Sequence, residues 1–299
     1  MIDHLSARAL TARLGGDWHG RYGLVAAPGH GPQNRAVQVS DGRDGRVVVH
    51  CHNGDDWREV RLAFGLDGDQ PRQRATTPMP VQPDPGAECT AARKLARARR
   101  MWETARELTA GDPVTLYLRG RHIQPPYRAA LRYCPAAHDM ESAAGTRPAM
   151  VALISHADGH AAGVHVTYLT TDGHKAVGLR SVKKMLGSVA TAAVWPDAHV
   201  PRMAIAEGIE SALAVEQLHG LPCIAALSAN NLHRVVLPPV VRELLIVADR
   251  EPSGTGVKAA QRAQAMYRRL GIRAFAGMPN VPAGHVKWDA ADELARVTT

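Results

Sequence analysis

Five acidic residues in the last third of the sequence occupy positions that suit metal chemistry. Glu207 directly follows one short apolar run, and Asp249 and Glu251 follow a second. Asp289 and Asp292 lie beyond a further apolar run. Carboxylates that converge on one place repel one another unless a cation lies among them, and oxygen ligands suit Mg²⁺ or Mn²⁺. The pattern therefore indicates metal-assisted phosphoryl transfer.

Each acid also has a structural interpretation when it is taken alone. Glu207 could cap the helix predicted after it, because anions are favoured at helix N-termini. Asp249 could be an ordinary loop acid. The joint pattern is more specific than any single member, so we take the acids together as candidate metal ligands.

The segments around these acids alternate between strand-like and helix-like patterns. Strands are predicted at Met203–Ala206, Cys223–Leu227, Leu244–Ala248 and Ile272–Ala276, and helices at Ile209–His219, Asn230–Val236 and Gly256–Leu270. This alternation predicts an α/β domain with a parallel sheet that is covered on both faces. Function in such sheets gathers outside the carboxyl ends of the strands, which is where the acids lie.

The preceding part of the chain is predicted to be mixed in structure. We expect a strand at Arg46–His50, a linker over residues 67–88, and a helix from about Thr90 to Thr109 that is capped by Gly111. Further strands are predicted at Ala149–Ile154 and Gly163–Tyr168, followed by an irregular basic segment at His174–Gly187.

The composition is that of a globular protein, and its positive charge is compatible with a polyanion partner without requiring one. The 299-residue chain has a formal net charge of +8, and a basic surface favours nucleic acid through counterion release. No apolar run approaches the roughly 18 residues that a membrane span needs, and the N-terminus lacks the apolar stretch of a signal peptide. We therefore expect a cytoplasmic protein with no membrane partner.

Three strings in the C-terminal part resemble the Toprim domain, in the version found in phage- and plasmid-type primases. They are IAEGIESALA (205–214), LLIVADREPSGTG (244–256) and KWDAADEL (287–294). The resemblance implies a Rossmann-like catalytic domain over residues 201–299. It also implies that Glu207 is the catalytic glutamate, that Asp249 and Glu251 are a metal pair, and that Asp289 or Asp292 is the later acid. Glu251 departs from the aspartate that the family usually has there.

The middle of the chain resembles the region that precedes Toprim in primase-like proteins. The strings are MWETARELTAGDPVTLYLRGRHI (101–123) and RPAMVALISHADGHAAGVHVTYL (147–169). The resemblance implies a helical and mixed α/β domain over residues 89–200, with a basic stretch that faces nucleotide or nucleic-acid phosphates. The residues in that place are Lys175, Arg180, Lys183 and Lys184. For any one of them, a solvated basic loop is an equal alternative.

Residues 17–60 resemble the zinc-binding module of primases, which implies a zinc-ribbon-like β module over residues 1–66. His30 and Cys51 stand at two of the four ligand positions, whereas Ala27 and Asp55 stand where cysteines belong. Ala27 cannot bind a metal, and a carboxylate replaces thiolate poorly in a structural zinc site. We therefore expect a degenerate module that keeps its β fold through apolar packing and holds little or no zinc.

Together the resemblances imply a DNA primase-like nucleotidyltransferase. It would make short primers on single-stranded DNA from nucleoside triphosphates, with Mg²⁺ or Mn²⁺. Two alternatives stay open: a Toprim nuclease, and a non-catalytic replication protein that binds single-stranded DNA. The sequence has no phosphate-binding GxxxxGK(S/T) loop, so a replicative helicase, if one is needed, would be a separate protein.

Overall fold

The computed structural model describes residues 6–31, 35–42, 46–52, 56–66, 85–139, 145–187, 190–279, 281–285 and 287–299, with the backbone alone for residues 85–90. The chain divides into two compact units, Met1–Val81 and Gln82–Thr299. Among the residues in these ranges, no helix has both the length and the apolar character needed to cross a membrane.

The first unit contains a small antiparallel sheet and two short helices. The strands are β1 (Asp17–Trp18), β2 (Tyr22–Val25), β3 (Val37–Asp41) and β4 (Val47–Cys51), in that spatial order, and the helices are α1 (Ala7–Arg13) and α2 (Trp57–Ala63). Alternate residues of β3 are buried, as expected for a sheet with one face on a core. Helix α1 lies tightly against β2, because a Cβ on Gly23 would come within 1.8 Å of the Thr11 hydroxyl oxygen.

The second unit begins with two helices and an antiparallel sheet. They are α3 (Pro85–Thr104), α4 (Pro113–Gly120), β5 (Leu131–His138), β6 (Thr146–Ser155), β7 (Ala161–Tyr168) and β8 (Lys183–Gly187), and the strands lie in sequence order. Val164 and Val166 pack in one core with Ala98 of α3. Met150 packs on the other face with Leu118 of α4. The sheet is therefore covered on both faces, which explains the long buried runs of its central strands.

The second unit ends in a parallel sheet. Its strands are β9 (Arg202–Ala206), β10 (Cys223–Ala225), β11 (Glu243–Val247) and β12 (Arg273–Gly277), in the spatial order β10-β9-β11-β12. Its helices are α5 (Ile209–His219), α6 (Thr255–Arg269) and α7 (Ala290–Thr298). Helices α5 and α7 pack in one core and α6 packs in another, so both faces of the sheet are covered. The predicted α/β architecture with a C-terminal parallel sheet is confirmed.

The long helix of the second unit differs from its predicted bounds. It ends at Thr104 because the backbone of Arg106 turns away to pair with Tyr133, with N–H···O distances of 2.7 and 2.8 Å. Gly111 is therefore not its cap and lies in the turn before α4, at a φ of 89°. The helix also takes in residues 85–88, which we assigned to the linker, and residues 67–84 lie outside the described ranges.

Two other predicted segments were wrong. Residues 183–187 of the segment predicted to be irregular form β8. The predicted helix Asn230–Val236 is only a 3₁₀ turn at Ala229–Asn231. The side-chain amide of Asn231 donates to the carbonyls of Ala192 and Ala226, both at 2.9 Å, so it supports the loop instead of a helix.

Candidate functional site

Two acids leave adjacent parallel strands at the same edge of the C-terminal sheet. The last paired residues of β9 and β11 are Ala206 and Val247, which lie opposite each other. Glu207 directly follows Ala206, and Asp249 lies just beyond Val247. Because parallel strands present their carboxyl ends at one edge, the sheet itself brings these two side chains to the same place.

A short antiparallel bridge brings further charged residues to this edge. Arg250 and Trp288 exchange two backbone N–H···O hydrogen bonds, each 2.9 Å long. In antiparallel pairing the neighbours of a bridged pair also face each other. The bridge therefore sets Asp249 opposite Asp289, and Glu251 opposite Lys287.

The carboxylates are close enough to disturb one another. Burial raises the pKa of Glu207, and the charge of Glu251 raises it further. Burial raises the pKa of Asp249 to about 7, with further contributions from the charges of Glu207 and Asp289. Lys287 opposes both shifts. Carboxylates that converge raise one another's pKa values in this way, and such shifts are frequent at functional sites.

Hydrogen bonds and close backbone packing surround the two strand-end acids. A backbone hydrogen bond from Ala229 lowers the pKa of Glu207 and so favours its charged form. The Ser211 hydroxyl donates to Asp249 Oδ1 at 3.4 Å. The first turn of α6 lies against the backbone of Asp249, because a Cβ on Gly256 would come within 2.2 Å of the Asp249 carbonyl oxygen. Only glycine permits that approach.

Asp289 and Asp292 also have a structural role. They form a capping box at the start of α7, in which each carboxylate accepts the other residue's backbone N–H, at 2.9 and 3.0 Å. Arg121 pairs with both, at 3.7 Å and 3.9 Å. Asp289 still adds its charge to the acids at the sheet edge, since it raises the pKa of Asp249.

The carboxylate oxygens at this edge are of the chemical type that a hard divalent cation binds. Carboxylate oxygens are the ligands that Mg²⁺ and Mn²⁺ prefer, and a bound cation would relieve the repulsion at Asp249. Within the described ranges, no group of three or more His, Cys, Asp or Glu side chains is arranged to hold a metal ion. Metal binding at Glu207, Asp249, Glu251, Asp289 and Asp292 therefore stays a prediction.

Two families match most of the second unit. Residues 202–298 match the family described as the Toprim domain. This part of the chain is a Toprim domain. Residues 92–196, which precede the Toprim domain, match a family described as a domain of unknown function, DUF7146. No curated protein matches the chain.

Solved primase structures resemble the fold distantly. The Aquifex aeolicus primase (zinc binding and RNA polymerase domains) is 13% identical, with a TM-score of 0.40, over 99% of this chain and 80% of that chain. The DnaG primase catalytic domain bound to ssDNA is 13% identical, with a TM-score of 0.45, over 71% and 78%. A DNA primase domain from Pseudomonas aeruginosa is 16% identical, with a TM-score of 0.43, over 68% and 74%. With TM-scores below 0.5, these matches by themselves assign no activity to this chain.

The predicted phosphate-facing cations do not share one surface. Lys183 and Lys184 are consecutive on β8, so their side chains leave opposite faces of the sheet. Lys183 Nζ lies 2.9 and 3.0 Å from the two carboxylate oxygens of Glu210, and its charge lowers the pKa of Glu207 in the Toprim domain. Lys184 Nζ lies on the other face, 5.5 Å from the centre of the Tyr168 ring.

Lys175 joins Lys183 on the side of the Toprim acids. Its ammonium lies 5.9 Å from the centre of the Tyr117 ring. Burial lowers its pKa, whereas the negative charges of Glu210 and Asp289 raise it. Arg180 is exposed in the loop before β8. The structure thus brings Lys175 and Lys183 towards the acids and turns Lys184 away from them.

Sequence reasoning missed four residues around the Toprim acids. They are Tyr117, Arg121, Glu210 and Lys287. One of them carries a signal that could have been noticed. Glu210 is a charged residue near the start of α5, a helix whose neighbouring residues are almost all small or apolar. The others depend on tertiary contacts that no local pattern indicates.

The N-terminal module places apolar packing at one of the predicted zinc-ligand positions. Ala27 is 2% exposed and belongs to the same core as Val25 and Val37. Cys51 ends β4 opposite Val37 and packs against that core. The predicted β fold of this segment is present.

The remaining residues of the predicted zinc site are His30 and Asp55, and two further histidines, His50 and His52, flank Cys51. His30 lies in a turn in which its backbone N–H donates to the carbonyl of Ala27 at 3.0 Å. The rings of His50 and His52 meet edge to face, with centroids 4.7 Å apart. Asp55 lies outside the described residues. The expectation of little or no zinc stays a prediction.

Proposed function

We propose that the protein is a primase-like nucleotidyltransferase that makes short primers on single-stranded DNA with Mg²⁺ or Mn²⁺. The observation that carries this proposal is the gathering of Glu207, Asp249 and Asp289 at one edge of the Toprim sheet, where burial and mutual repulsion raise the pKa of Asp249 to about 7. A packing role alone gives no reason to keep buried carboxylates that repel one another.

Each charged residue has a role in this reaction that follows from its chemistry. Asp249 and Glu251 would hold the metal ion, together with Glu207 and Asp289. When bound, the ion would stabilise the triphosphate and the attacking 3′-hydroxyl in an in-line displacement. Glu207 has two alternative roles, as a ligand of the ion or as the general base that accepts the proton of that hydroxyl, and its raised pKa suits the second.

The cations near the acids would bind the substrate phosphates. Lys183 and Lys175 reach this side of the second unit from the preceding domain, and Lys287 lies opposite Glu251. Ammonium groups bind phosphate as compact charges with several donors. They would orient a nucleoside triphosphate beside the acids and attract the backbone of single-stranded DNA.

The wider setting is part of the same proposal. The Toprim strings resemble those of phage- and plasmid-type primases, which supports DNA replication as the process. A primase acts where DNA is copied, so we propose a cytoplasmic site of action, with any replicative helicase supplied by another protein.

The proposal is tested by incubating the full chain with single-stranded DNA, labelled nucleoside triphosphates and Mg²⁺ or Mn²⁺. New labelled oligomers support primer synthesis. A shortened template without new oligomers replaces the proposal with a Toprim nuclease. A gel shift with neither product replaces it with a non-catalytic protein that binds single-stranded DNA.

A further inference from the structure

A buried carboxylate lies beside the Toprim acids without belonging to them. Glu210 is 5% exposed, in the first turn of α5, close behind Glu207. The Tyr117 hydroxyl donates to its Oε1 at 2.6 Å, and the Lys183 ammonium lies 3.0 Å from Oε2 and 2.9 Å from Oε1. Three elements distant in sequence, α4, β8 and α5, therefore meet at this one carboxylate.

The arrangement keeps Glu210 charged in a place where burial opposes charge. Burial raises the pKa of Glu210, but the charge of Lys183 and the hydrogen bonds from Tyr117 and Lys183 lower it to about 2. His165, on the same face of the sheet as Lys183, is kept neutral, because burial and Lys183 lower its pKa to about 4. Near neutral pH the partner cation of Glu210 is therefore Lys183 and not the histidine.

The Lys183 ammonium is only partly enclosed. Its side chain is 39% exposed, compared with 7% for that of Glu210. Its charge lowers the pKa of Glu207 as well as that of Glu210, so the ammonium lies within electrostatic reach of the acid site. A lysine ammonium has three donors, of which one donates to Oε2 of Glu210, while Oε1 lies within ion-pair distance.

An ion pair is a poor choice if packing is the only purpose. Removing the Glu210 charge from water is costly, and apolar residues of similar volume often stabilise a core as well as an ion pair or better. What an apolar pair cannot do is fix a half-exposed positive charge in one position. The Tyr117 hydroxyl adds a second restraint on the carboxylate, which limits how far it can turn.

We propose that Glu210 is a positioning residue that holds the Lys183 ammonium at the rim of the Toprim acid site, so that another donor of this ammonium contacts the phosphates of an incoming nucleoside triphosphate. The inference rests on the proposed function for its choice of ligand. Tyr117 acts one step further away, since it orients the Glu210 carboxylate.

The test measures the affinity of the full chain for ATP with Mg²⁺, by calorimetry, so that it does not depend on catalysis. Glu210→Gln keeps the size of the side chain and removes its charge. We expect it to weaken ATP binding about tenfold, the size expected for one charge-assisted hydrogen bond. Lys183→Gln should weaken binding equally, and the double variant should be no weaker than either single one.

Glu216→Gln is the matched control. Glu216 lies on the same helix, and its carboxylate lies 3.1 Å from Nη2 of the buried Arg128, in a separate ion pair. This variant should lower the melting temperature without changing the affinity for ATP. If Glu210→Gln also lowers the melting temperature without changing the affinity for ATP, Glu210 has a structural role alone and the inference is overturned. Tighter ATP binding by Glu210→Gln also overturns it, because Glu210 would then compete with phosphate for Lys183.

A further variant covers the case in which Glu210→Gln fails to fold. Tyr117→Phe removes one hydrogen bond to Glu210 and leaves the ion pair, so we expect about threefold weaker ATP binding, roughly 0.6 kcal/mol. Unchanged binding in a folded Tyr117→Phe variant would overturn the inference, as would a wild type that binds no ATP. If ATP binding follows the expected pattern but no oligomers form, primer synthesis fails and the positioning role stands.

Discussion

The N-terminal module and the Toprim domain differ in the residues that occupy their candidate ligand positions. In the module, Ala27 occupies a position that the family resemblance gives to a metal-binding cysteine, and it is buried in an apolar core. In the Toprim domain, Asp249 and Glu207 remain carboxylates although burial and repulsion raise the pKa of both. One region gains stability from its packing, and the other loses stability at its charged edge.

In the N-terminal module, packing alone explains the residue at the candidate ligand position. In the Toprim domain, packing does not explain the residues at those positions. An alanine in a core costs nothing in electrostatic energy, and the β module needs no ligand to bury its valines. Repelling carboxylates persist only where something other than folding requires them, since substitutions that relieve the repulsion are easy to find. The Toprim edge is therefore the part of this chain where function is expected.

The largest effect on stability should come from placing a charge inside the module. Val39 is fully buried in β3, whereas Val48, on the neighbouring strand, is 41% exposed. Val39→Asp should destabilise the first unit by about 4 kcal/mol, because it buries a carboxylate without a partner, and Val48→Asp should have little effect. Limited proteolysis of both variants measures this. Equal resistance of the two would show that the module does not depend on its apolar core.

Binding to single-stranded DNA should depend strongly on salt. Aromatic residues make up 4% of the chain and lysine and arginine number 36, so we expect phosphate contacts to dominate over base stacking. Affinity should fall about 100-fold between 50 and 200 mM salt, as for a protein with about five phosphate contacts on a single strand. Fluorescence anisotropy across this range measures it. A flat salt dependence would indicate stacking or base recognition instead.

Removing one of the repelling carboxylates should stabilise the metal-free protein. Because the pKa of folded Asp249 is raised to about 7, the folded chain retains a proton between about pH 4 and pH 7 that the unfolded chain loses. The stability attributable to this group therefore falls as pH rises through that range. A shift of this size corresponds to at most about 4 kcal/mol, and we expect about half of it because Asp249 is only partly buried. Asp249→Asn should therefore remove the loss and gain about 2 kcal/mol at pH 8.

Thermal melting in a chelator at pH 5 and pH 8 checks the Asp249 prediction. Asp172→Asn, at a position 70% exposed, is the control and should change neither melt. Adding Mg²⁺ should stabilise the wild type and not Asp249→Asn. A wild type that is the more stable of the two at pH 8 in chelator would contradict the repulsion.

The smallest expected signal is the zinc content of the N-terminal module. Ala27 supplies no ligand atom, so the purified protein should retain less than about one tenth of an equivalent of zinc after dialysis. Elemental analysis measures this directly. One tightly held equivalent would refute the expectation and would point to His50 or His52 as replacement ligands.

The Toprim elements were predictable because their patterns are local. Helix α5 has its predicted bounds, with Gly208 before it and Gly220 at its end in a left-handed conformation. The buried strands β9 and β11 are short apolar runs, which is typical of a parallel sheet covered on both faces. Strand ends were therefore located well enough to place Glu207 and Asp249 at one edge.

The features that the sequence did not predict depend on contacts between distant segments of the chain. Strand β8 was missed because two consecutive lysines, Lys183 and Lys184, do not show the alternation of apolar and polar residues that is typical of a strand. Lys183 contacts Glu210, and Lys184 lies on the opposite face of the sheet. Helix α3 ends early because its following residues pair with β5. The hydrogen bond from Tyr117 to Glu210 joins residues 93 positions apart, and no local pattern indicates it.

The central claim is that the Toprim acids form a metal-dependent site for nucleotidyl transfer. Primer synthesis by the wild type, Glu251→Ala and Glu251→Asp, with Mg²⁺ and then with Mn²⁺, tests it most directly. Glu251→Ala should lower the rate at least about 10³-fold, because a metal ligand contributes several kcal/mol, and it should leave the fold intact. Glu251→Asp should keep activity, since it restores the residue usual in the family. An active wild type with an equally active Glu251→Ala variant would contradict the account.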